Sequence, residues 1–100
     1  MTWASWTTQG VYAGRGGVRT DGAPVLTGQL DVHTTWTEAD GMAHVAVQHS
    51  GGAEWFTLTG SPVPCPSAEA SRTLHDAVLR AVRAGNAATL PHPDASMGNA

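Results

Sequence analysis

From Gln29 to Gly60, apolar and polar residues tend to alternate, which is the period of half-buried β-strands. Two turn signals divide this stretch. Asp40-Gly41 and Gly51-Gly52 both suit the positive φ angles of a two-residue hairpin loop. If both turns are tight, Trp36, Val45 and Leu58 form one row across three strands, and Thr34, Val47 and Phe56 form the next. All six side chains then share one face, as a single strand register requires. The opposite face carries the rows Thr37/His44/Thr59, Thr35/Ala46/Thr57 and His33/Gln48/Trp55, rich in Thr and His.

Beyond Gly60, Ser61-Pro62-Val63-Pro64-Cys65-Pro66 holds three prolines, which argue against a strand or helix interior. Ser67 is a good N-cap for a helix whose apolar positions Ala70, Leu74, Val78, Ala81 and Val82 gather on one side. Glu69, Arg72, Asp76, Arg80 and Arg83 take the other side, with Asp76 and Arg80 in favourable i, i+4 order. Gly85 suits the C-terminal cap, with Asn86 beside it. A three-stranded sheet with one apolar face needs a cover, so the helix is expected on the Trp36/Val45/Leu58 face. The predicted fold class is α+β: an antiparallel β-meander, three strands plus one or two more towards the N-terminus, with one C-terminal amphipathic helix.

Upstream, Asp21-Gly22 suggests a hairpin pairing Val18 with Val25, restricted to an edge by Pro24. Trp3 to Thr8 has β-type composition, and Gly14-Arg15-Gly16-Gly17 reads as a flexible loop. Residues 1–86 read as one domain and 87–100 as a flexible tail. One hundred residues suffice for one ordinary domain.

Composition narrows the function. The formal net charge is −3, with five Arg and no Lys. Phosphate-backbone binding needs clustered cations, so the acidic balance argues against nucleic acid without excluding it. Absent Lys and Ile, with abundant Ala, Gly and Thr, resemble the usage of a GC-rich bacterial genome. The N-terminus has neither the basic nor the apolar region of a signal peptide, and no apolar run approaches the ~20 residues of a membrane span. A cytoplasmic protein, independent of membranes, is the expectation. The single Cys excludes an intramolecular disulfide.

Few residues suggest chemistry. The chain lacks a Walker A motif, HExxH, CxxC and GxSxG, and no cofactor is expected. The assumed registers put His33 and His44 on one face but four residues apart along the strands, about 13 Å, too far to share a metal ion. His49 falls on the other face opposite Glu54 and Val32, in position for a cross-strand pair with Glu54. His75 sits at the border of the helix's apolar side. Cys65 precedes the helix N-terminus, where the helix dipole favours thiolate. Trp55 lands on the polar face beside His33 and Gln48, the arrangement of an interface anchor.

The expected function is a non-enzymatic binding or assembly module acting through protein–protein contacts. Its partner is another chain, with a homodimer among the options. The binding residues would be Trp55, His33, Thr35, Thr57, His44 and Gln48. One alternative is a nucleic-acid-binding regulator that stacks bases on Trp55 and meets phosphate with Arg72, Arg80 and Arg83. Another is a small enzyme using Cys65 or His44. An Arg-rich helix face beside Trp55 would favour the first alternative, and a pocket joining Cys65 to a His the second.

Overall fold

A computed structural model describes residues 2–91. Its strands are β1 (Trp3–Tyr12), β2 (Gln29–Thr37), β3 (Met42–His49), β4 (Phe56–Thr57) and β5 (Val63–Pro64), followed by helix α1 (Ala68–Ala84). The strands form one antiparallel sheet in the order β1-β2-β3-β4, with β5 also pairing β3. The architecture is α+β, with the helix packed against the sheet.

The second expected register holds. Val47 pairs with Phe56, and the Leu58 amide donates to the Val45 carbonyl. The tight Gly-Gly turn is absent, because Gly51 adopts φ 81° and Gly52 does not turn positive. The ladder resumes only at Phe56. The first register is displaced by two residues. Thr34, not Trp36, faces Val45, and Trp36 faces Ala43. Asp40 causes the displacement. Its carboxylate accepts from the Met42 amide (2.9 Å) and the Thr37 hydroxyl (2.8 Å), closing a turn of Glu38–Gly41 in which Gly41 takes φ 64°. A slip of two leaves every side chain on its expected face. Val32, Trp36, Val45, Val47 and Leu58 are therefore buried on one side.

β1 extends the sheet beyond β2 and runs further than expected. It pairs Ala4 with Trp36 and Thr8 with Val32, then bulges at Gln9–Gly10 and continues to Val11–Tyr12. Val18 pairs with Leu26 rather than Val25, which stays exposed. Although prolines flank it on both sides, Val63 is buried and pairs with Ala43.

Ser67 caps the helix by accepting from the Ala70 amide (3.0 Å), and Gly85 closes it at φ 75°. Leu74, Val78 and Val82 are buried as expected, joined by Ser71 and His75. Arg80 is exposed and forms no ion pair with Asp76. Helix contacts fall on β1 and β2. The other half of the inner face is closed by Val18, Leu26 and Leu90, all buried. The Gly14–Gly17 loop is a packed junction. The Gly14 amide donates to the Val82 carbonyl (2.9 Å), and a Cβ on Gly14 would collide with the Arg83 carbonyl oxygen. Residues 87–91 belong to the same body, since the Leu90 amide donates to Thr59 and Ala88 bridges to Val18. The rest of the expected tail, 92–100, lies outside the described residues.

His75, 5% exposed, is the polar centre of the helix–sheet contact. Its Nε2 lies 2.9 Å from the Thr8 hydroxyl and its Nδ1 lies 2.8 Å from that of Thr34. Burial lowers its pKa below the ordinary imidazole value of about 6.5; nearby Asp76 opposes this, and His33 adds to it. The folded state thus prefers the neutral ring, and below that ordinary value the unfolded chain binds more protons. Stability is full above about pH 6.5 and falls as pH drops below it. The same loss from Asp40, whose carboxyl is held at about 2 by its turn hydrogen bonds, begins only below the ordinary carboxyl value of about 3.8.

Two measurements test this packing. Leu74→Ala is expected to destabilise by about 2–5 kcal/mol through the cavity it leaves, and Arg80→Ala by under about 1 kcal/mol. Equal losses in denaturant titrations would mean the helix is rotated. Denaturation at a series of pH values should show stability declining below pH 6.5. A His75→Gln variant should flatten that decline while keeping the one seen at lower pH, and an unchanged slope would refute the linkage.

Candidate functional site

The sheet face away from α1 carries every expected binding residue. Because the first register is displaced, its rows are regrouped. His33 pairs with Ala46, and Ala46 with Thr57, while Thr35 pairs with His44 and Asp31 with Gln48. His33 and His44 are therefore diagonal neighbours, about 7–8 Å apart in backbone terms, and not four residues apart. Among the described residues, no group of three or more His, Cys, Asp or Glu side chains is arranged to hold a metal ion.

Trp55 lies beyond the ladder, 45% exposed, with its ring centroid 5.8 Å from that of His33 at a tilt of 54°. Tilted aromatic contacts of this size orient both rings. Thr7 on β1 fixes His33 from the other side, its hydroxyl 2.6 Å from Nδ1. β1 enters this face by extending the sheet edgewise, and it leaves Trp55 uncovered. Trp3, at 69% exposure, adds a second open indole to the face. His44 Nε2 stands 3.1 Å from Asp40 Oδ2, an exposed pair that holds the imidazole towards the first turn.

Asp31 is a member of this face that the sequence pattern does not single out. It is 5% exposed and accepts from the Ser50 hydroxyl (2.7 Å), the Gln48 amide (3.0 Å) and the Gly10 backbone N–H (3.1 Å). These bonds, led by that of Ser50, lower its pKa. The carboxylate ties the β1 bulge to the end of β3. Gly10 permits the approach, with φ 73° and a would-be Cβ only 2.8 Å from Gln29 Nε2. The clue available in sequence was a lone acid inside a β-patterned stretch. An acid there reads equally well as a solvated residue.

The remaining candidates lie elsewhere. Cys65 is buried, and burial pushes its thiol pKa up, reversing the lowering expected from the helix end. A shallow cleft of about 390 Å³ borders it, lined by Trp36, Glu38, Gly41, Pro64 and Pro66, with no His among them. Trp36 Nε1 donates to the Cys65 carbonyl (2.8 Å), so this segment supports the core. Arg72 lies over the ring of Trp6, whose Nε1 donates to Ser71 on the inner side. The helix arginines are thus separated from Trp55 by the sheet. His49 is exposed, and no ion pair joins it to Glu54.

Comparison with protein-family models, with curated proteins and with solved structures found no match. Substituting Asp31 checks the local architecture. Asp31→Ala is expected to lower the melting temperature and speed hydrogen exchange at the Gly10 amide, because buried donors lose their acceptor. A wild-type exchange rate at Gly10 would show that the bulge holds without the carboxylate.

Proposed function

We propose that this protein is a non-enzymatic binding module that contacts another protein chain through the sheet face opposite the helix, with Trp55 as anchor. One observation carries the reading: Trp55 stands open on that face, oriented by His33, which is itself held by Thr7. Large indoles fixed among uncharged hydrogen-bonding residues are typical interface anchors. Thr35, Thr57 and Gln48 provide the polar surround, and His44 lies at its border.

A protein surface suits this face better than a phosphate backbone. The face presents Thr, Ser, His and Trp, and its acids are already engaged by neighbouring groups. A cytoplasmic setting in a bacterium is part of the reading. The free thiol of Cys65 suits a reducing compartment. No helix of the described residues is long and apolar enough to cross a membrane.

Trp55→Ala is the direct test. The variant should retain the wild-type melting temperature while its association with a partner captured from the native lysate weakens by about 2 kcal/mol or more. A variant that melts early and still captures the same partner would reduce this face to ordinary packing and end the proposal.

A further inference from the structure

The two edges of the sheet are treated differently. Beyond β4, residues 18–21 lie along the sheet. The Asp21 amide donates to Thr57, the Thr59 amide donates to Arg19, and Thr20 bridges to Leu58. The β1 edge has no such cover among the described residues, where β1 ladders only with β2. Open edges are usually blunted by charge, proline or a bulge. Trp3–Tyr12 contains no charge and no proline, and its bulge comes only after Thr8.

The backbone groups left free can be identified. The Glu38 amide donates to the Thr2 carbonyl (2.9 Å). Hydrogen-bonding direction alternates along an antiparallel strand. From Thr2 to Thr8, the even-numbered residues therefore address β2, while Trp3, Ser5 and Thr7 direct N–H and C=O outward. Their side chains are exposed on the outer face.

The geometry points to an edge-to-edge homodimer in which β1 pairs antiparallel with β1 of a second copy about a two-fold axis at Ser5. In that register Ser5 meets Ser5, and Trp3 meets Thr7. All three outward-facing residues then donate and accept, as an isologous contact requires. On the inner side Ala4 falls opposite Trp6, so each indole meets a smaller residue, and the paired strands themselves bring no charges together. Moving the axis to Trp6 would set indole against indole and bring the bulge residue Gln9 opposite Trp3. The occupant is therefore a second copy, since the strand is complementary to itself. This inference is independent of the Trp55 reading, because it uses the edge and not the face. It joins the two outer faces into one continuous surface.

Sedimentation of the full chain from micromolar to millimolar concentration provides the test. A monomer–dimer equilibrium is expected, with the Trp3, Ser5 and Thr7 amides gaining exchange protection as concentration rises. Ser5→Pro removes an N–H that the monomer's own ladder does not use, so it should raise the dimer Kd by about tenfold or more while the monomer stays folded. Ser5→Lys places like charges across the axis and should do the same, which keeps the test valid if the proline variant fails to fold. Trp55→Ala should leave the dimer intact. A monomer at every concentration, edge amides protected regardless of concentration, or a dimer that survives the folded Ser5 variants would each overturn the edge pairing.

Discussion

The structure turns on the buried imidazole of His75. His75 comes from the helix, Thr8 from β1 and Thr34 from β2, and the two hydroxyls engage both ring nitrogens. A buried polar group without partners is costly, so this contact permits few rotations of the helix about its axis. It also fixes the helix over the β1–β2 half of the sheet. The remaining half must be closed by other means. Val18, Leu26 and Leu90 do so, on a segment that Gly14–Gly17 ties to the helix end through backbone approaches that no Cβ would tolerate. The inner face is thus occupied, and among the described residues no element packs over the outer face.

The faces of the meander were legible in the sequence, and its register was only partly so. Side-chain direction repeats every two residues, so any even slip keeps the core assignment intact. Asp40-Gly41 suits the centre of a turn by its residue types but forms the end of one, because the Asp40 side chain reaches back to Thr37 and forward to Met42. Dipeptide preference reports allowed φ angles and says little about where a carboxylate will bond. The same displacement made His33 and His44 look distant. The pairing of Val18 failed by one residue for a related reason, since a loop's length cannot be counted from its turn dipeptide alone.

Other features depended on tertiary contact and left little trace. The glycine loop looked unstructured because its order comes from the helix end, more than sixty residues away in sequence. β1 was recognisable from Trp3 to Thr8, yet Gln9-Gly10 concealed its continuation, since the residue that stabilises the bulge is Asp31 on another strand. Trp55 lies on the face that parity predicts despite the missing tight turn, because the β3–β4 register is kept.

The outer face owes its character to what the sheet interior demands. Alternation that supplies Val32, Thr34 and Trp36 to the core leaves Asp31, His33 and Thr35 outside. Asp31 is tolerated there because three donors converge on it. That same convergence holds the bulge which ends the regular run of β1. The flat part of the edge is therefore Trp3–Thr8, a segment free of charge, before β1 continues past its bulge to Tyr12. A longer flat edge would invite many registers and open-ended association. By holding the bulge at Gly10, the Asp31 network limits the length of flat strand left at this edge, and it does so beside the face that carries Trp55.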